Sequence, residues 1–100
     1  MKPARTAGLW DARRQVEILR EAGLMVLGSG LTDPDSSLAA SLILFGAYQV
    51  THPCALNGPQ FLTGSFLKKP FALQDGWLAT PTAVGLGVEP DEDRIRRQSA

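Results

Sequence analysis

The chain has one cysteine and one histidine in 100 residues. Cys54 alone excludes an internal disulfide and any cysteine-based zinc site, and a free cysteine is ordinarily a small buried hydrophobe. Net charge is missing as well. Ten Lys and Arg balance ten Asp and Glu, so nothing draws the chain to nucleic acid or to an anionic membrane. The longest apolar stretch, Leu38 to Val50, is broken by Ser41 and Gln49 and falls short of the roughly 20 residues of a membrane helix. Met1 to Gly8 contains no apolar core of a secretory signal, so a cytoplasmic setting is expected. Motifs for phosphate cradling, zinc hydrolysis and a nucleophile elbow are absent. Gly28-Ser29-Gly30 lacks the third glycine of a dinucleotide fingerprint and reads as a tight turn. His52, beside Pro53, reads as a surface or capping residue rather than a catalyst.

What is present suggests an α/β chain. Hydrophobic residues make up 44% and charged residues 20%, ordinary for a globular chain. Between residues 22 and 67 the only charges are Asp33 and Asp35, so that middle reads as interior and the ends as solvated faces. Residues 9 to 23 predict an amphipathic helix, with Asp11 as N-cap, Ala12, Val16 and Leu19 on the apolar face, and Gly23 ending it. Leu24 to Leu27, apolar without alternation, predicts a strand buried on both faces. A second helix is expected from Asp33-Pro34 to about Gln49, apolar almost all round, with Asp33 as its cap. Residues 54 to 58 could form another short strand. Asp75-Gly76 between apolar runs signals a hairpin with a type I′ turn, and residues 91 to 97 a short charged helix.

Helix, buried strand, helix is the rhythm of βα units. Two or three parallel strands with two helices leave the second helix half uncovered, so self-association is expected unless the rest of the domain is missing. Asp33 and Asp35 follow the C-terminal end of a strand, where α/β folds place their chemistry. Capping and dipole compensation is the favoured reading for both, and more strongly for Asp35.

Taken in order, several segments are similar to the last stretch of an enolase-superfamily enzyme of the muconate-cycloisomerase group. Lys2 to Leu9 resembles the end of the sixth barrel strand, and Leu24 to Asp33 the seventh strand with its loop. Leu56-Asn57-Gly58-Pro59 resembles the motif after the eighth strand. Asp75-Gly76-Trp77, Pro81 and Gly85-Leu86-Gly87-Val88-Glu89 resemble the family's closing segment. The resemblance implies an α/β fold in which residues 1–59 close a (β/α)₈ barrel and residues 60–100 return to an α+β capping domain. It implies abstraction of a proton next to a carboxylate on a small substrate, with magnesium holding the enolate in the full-length enzyme. Lys2 falls on the sixth-strand acid/base lysine, and Thr32, Asp33 and Asn57 are the substrate-facing loop residues.

The departures from the pattern bear on activity. Thr32 stands where a glutamate is frequent, Ala55 where an acid is, and Asn57 in place of the aspartate of dipeptide epimerases. Ala83 and Val84 stand where the family usually has Gly-Pro. The family's magnesium ligands and second-strand lysines precede the part that this chain resembles. The chain by itself is therefore expected to hold no magnesium and to be inactive. A small self-associating interaction module and a non-functional truncated gene product are the alternatives.

Overall fold

The computed structural model describes residues 1–99. Its first helix, α1 (Leu9–Glu21), starts after Gly8, whose φ of 120° suits only a glycine, and no side chain caps it. Asp11 lies in the first turn instead. Its carboxylate accepts from the Ala7 amide at 3.5 Å and from Gln15 Nε2 at 2.8 Å, and its charge still opposes the helix dipole. Gly23 ends the helix as expected. At φ 69° it donates to the Arg20 carbonyl (2.9 Å), and the Leu24 amide reaches back to Leu19 (2.9 Å).

Helix α2 (Asp35–Ala47) begins one residue later than the sequence suggests, with Pro34 in place of Asp33 at the cap position and no side-chain cap. Gln49 does at its end what Gly23 does for α1. At φ 49° it donates to Gly46, and Val50 to Phe45, at 3.0 and 2.9 Å. The helix is not half uncovered. Leu38, Ala39, Ser41, Leu42, Leu44 and Phe45 are all buried, and Thr80 of the C-terminal segment packs against Gly46. Ala12 and Val16 of α1 meet Val26, Leu44 and Phe45 in one core.

The uncovered apolar surface lies elsewhere. Of Leu24 to Leu27 only Val26 is buried, while Met25 is 62% exposed and Leu27 53%. The expected burial on both faces fails because the helices cover one side only. Among the described residues no strand of several paired residues forms, although the parallel pattern is there. The Met1 ammonium donates to the Leu27 carbonyl (2.7 Å) and Ser29 to Met1 (2.9 Å). Gly30 donates to Ala55 (2.8 Å) and Ala55 to Gly28 (3.1 Å). Three extended segments thus lie side by side, around Met1, around Ser29 and around Ala55, with the Ser29–Ala55 pair parallel.

Residues beyond 57 fold back over α2. A short helix, α3 (Gly58–Phe61), follows the third segment, and Asp35 accepts from Ser65 Oγ (2.8 Å) and the Phe66 amide (2.7 Å). Asp75 and Gly76, at φ 50° and 82°, make the two-residue turn, closed by reciprocal bonds between Gln74 and Trp77, but the pairing stops at that one pair. The last helix, α4 (Glu92–Gln98), is capped by Asp91, which accepts from the Arg94 amide at 3.0 Å. No helix among the described residues is long and apolar enough to cross a membrane.

Polar groups clasp α1 to the end of α2. The Tyr48 hydroxyl donates to Glu17, Arg13 Nε donates to Glu17 (2.8 Å) and to Tyr48 Oη (3.0 Å), and Arg20 donates to the Tyr48 carbonyl. The Tyr48 bond first, then Arg13, holds the Glu17 carboxyl below its ordinary value of 4.5. A depressed carboxylate stabilises the fold above its unfolded pKa, and that contribution is lost as pH falls through the folded value. Tyr48→Phe should return Glu17 toward the ordinary range and flatten the acid limb of the stability curve. Thermal unfolding of both proteins from neutral into acid pH measures this. Parallel curves would contradict the clasp.

Candidate active site

Chemistry-bearing groups collect where the three extended segments end. Lys2 is half-buried, in extended backbone just before a 3₁₀ turn, Pro3–Arg5, that starts with a buried proline. Its Nζ donates to Ser29 Oγ at 2.7 Å and to the Gly30 carbonyl at 2.9 Å. The first segment therefore presents an ammonium to the end of the second.

Gly28 and Gly30 are not turn residues, since neither has a positive φ. They are glycines because neighbours come close. A Cβ on Gly28 would lie 2.6 Å from Cys54 Sγ and 2.7 Å from a Phe45 ring carbon, and one on Gly30 would collide with the Asp33 carboxylate.

Asp33 does not cap α2. It is only 4% exposed, and its Oδ2 has no hydrogen-bond partner. The carboxylate packs over Gly30, and the Asp33 backbone packs on Gly58. A buried unpaired carboxylate oxygen is costly, and groups of that kind concentrate at functional sites. Thr32, just before it, is exposed and holds φ 62°, which a β-branched residue adopts only against a steric penalty. Asn57 is exposed at the start of α3 and makes no capping bond. Asp35, tied to Ser65 and Phe66, anchors the returning segment and has no free role at the site.

Gly30 is the common point. It carries Lys2 on its carbonyl, Asp33 over its Cα and Ala55 on its amide. Among the described residues no hydrogen bond joins Lys2 to Thr32, Asp33 or Asn57. Asp33 borders a hollow of about 340 Å³ with Asp35, Gly58, Ser65 and Arg94, whereas Asn57 borders another of about 750 Å³ with Phe45, Leu56 and Trp77. Ser29 is the site residue that the sequence reading passes over. Its signal was alternation: Met25, Leu27 and Ser29 share one face of an extended segment, and Ser29 is the polar one at its end.

The described residues do not fit a magnesium ion. No three His, Cys, Asp or Glu side chains among them converge, and Asp35 already spends its Oδ2 on Ser65 and Phe66. Hard cations need several oxygen ligands at once. Calorimetric titration of the chain with magnesium should give no saturable heat. A tight one-site isotherm would contradict this.

Residues 1–94 match the family model described as enolase C-terminal domain-like. Muconate cycloisomerase 1-1 of Acinetobacter lwoffii is 33% identical over 98 residues, 97% of this chain and 26% of that protein. An N-succinylamino acid racemase of an Amycolatopsis species is 30% identical over 90 residues, 90% of this chain and 24% of that protein. The crystal structure of a muconate lactonizing enzyme from Klebsiella pneumoniae superposes with a TM-score of 0.83 at 25% identity, over 93% of this chain and 26% of that one. The chain spans about a quarter of the length of these relatives.

Proposed function

The chain belongs to the enolase C-terminal domain-like family, and from that premise we propose that in the whole protein it supplies Lys2 to move a proton at the carbon next to a carboxylate. Residues 1–59 then close the barrel and residues 60–100 return to the capping domain. The observation that carries the reading is the Lys2 ammonium, half-buried and held at the shared end of three parallel segments. Active sites of α/β barrels sit at that edge of their strands. Lysine can take and return a proton there, and a positioned acid/base group accelerates such transfers by roughly 10²–10⁴. Thr32 and Asn57, both exposed and neutral, offer hydrogen bonds to the substrate, so proton traffic rests on lysine rather than on acids at these positions.

Two of the relatives are named as a cycloisomerase and a racemase, which supports a reaction of the isomerase or racemase class on a small carboxylate. In the full-length enzyme, magnesium to hold the enolate would sit on residues that precede the part this chain resembles, since the described residues supply no site for it. Incubating the whole protein with muconolactone-type and N-acylamino acid carboxylates in heavy water should exchange the α-proton, followed by proton NMR. No exchange with either class would overturn the proposal.

A second reading, a self-associating module, is favoured by one observation. Met25, Leu27, Phe61 and Trp77 leave large apolar side chains more than half exposed. Light scattering of the chain alone should give a species larger than a monomer. A sharp monomer that binds no apolar-surface dye would remove this reading.

A further inference from the structure

We propose that Ser29 is a positioning residue, clamping the Lys2 ammonium in a single orientation together with the Gly30 carbonyl. An ammonium has three N–H donors on a flexible four-carbon stem, and left alone it samples many directions. Here two donors are committed, to Ser29 Oγ at 2.7 Å and to Gly30 O at 2.9 Å, which leaves one for a reacting partner.

Both acceptors are themselves fixed. The Ser29 amide donates to the Met1 carbonyl, and the Gly30 amide to Ala55 on the opposite side. The Asp33 carboxylate closes over Gly30 so tightly that no side chain fits there. The Ser29 hydroxyl lies 3.4 Å from the Gly30 carbonyl, to which it can donate while its lone pairs accept from Lys2. The clamp thus joins the first extended segment to the second through side chains, just beyond the point where their backbone bonds stop.

The inference rests on the proton-transfer reading for its purpose, but the clamp can be measured without catalysis. In the 100-residue chain with labelled lysines, NMR relaxation of the Lys2 ammonium should report a rigid group, unlike the exposed Lys69. Ser29→Ala should bring Lys2 to the mobility of Lys69, and Ser29→Thr, which keeps the hydroxyl, should restore rigidity. The backbone amide spectrum checks that each variant is folded. If Ser29→Ala does not fold, the comparison of Lys2 with Lys69 in the unaltered chain still decides, because a mobile Lys2 overturns the clamp. So does a Lys2 that stays rigid in a folded Ser29→Ala chain.

In the whole protein, Ser29→Ala should lower kcat for α-proton exchange by about tenfold to a hundredfold with KM unchanged, and Ser29→Thr should recover it. Unchanged kcat in Ser29→Ala, or equal loss in both variants, would overturn the positioning role. If Lys2→Ala leaves exchange intact while relaxation still shows the clamp, the proton-transfer reading has failed and the clamp has not.

Discussion

Replacing Gly58 with alanine should destabilise the fold by about 3 kcal/mol, the upper end of what overpacking a close contact costs. A Cβ at that position would fall inside contact distance of the Asp33 carbonyl oxygen, 3.4 Å from its carbonyl carbon and 3.6 Å from its amide nitrogen. The obstacle is backbone, so no side chain can swing away. Asp33 is itself buried against Gly30, so relief requires the loop after the second extended segment to part from the start of α3. The φ of Gly58 is not positive, so the effect is a clash and not a conformational penalty. Gly64, with nothing within 4 Å of its Cβ position and no positive φ, is the control, and Gly64→Ala should change little. Urea unfolding should show a lower midpoint at unchanged slope for Gly58→Ala. Equal midpoints for the two variants would contradict the close packing of Asp33 on Gly58.

That contact also shows where the sequence was legible. Although Asp11 lies in the first turn of α1 and does not cap it, several signals that act within a few residues read correctly: Gly23 ending α1, Asp75-Gly76 turning the chain and the short charged helix near residues 91 to 97. Each depends on local φ or on a bond to the next turn, so tertiary context had little to change. The start of α2 did not read correctly. An aspartate before Pro34 has two outlets, capping the helix or packing inward, and only the neighbouring glycines at 30 and 58 decide between them. The same holds for Leu24 to Leu27, whose composition is that of a doubly covered strand while this chain covers one side. Around the candidate site, the family resemblance singles out Lys2, but the bonds its ammonium makes could not be read from it. Ser29 was hidden because its partner stands 27 positions away, across two segments that no local pattern connects.

Changing Lys2 to alanine in the whole protein should abolish exchange of the substrate's α-proton on one face, a loss of about 10²–10⁴ if Lys2 is the acid/base group. The fold should survive. Among the described residues the side-chain bonds of Lys2 go only to Ser29 Oγ and the Gly30 carbonyl, and the bonds that Met1 makes to Leu27 and Ser29 do not involve the Lys2 ammonium. Loss of exchange in a protein with unchanged unfolding temperature therefore separates chemistry from stability. Exchange on the opposite face should persist, since one lysine reaches an α-carbon from a single face and the resemblance puts further lysines upstream of this part. The direct measurement is NMR of a chiral α-carboxylate in heavy water with the unaltered protein and with Lys2→Ala. The account predicts deuterium incorporation from one face to fall to background in the variant, and equal incorporation by the two proteins would contradict it.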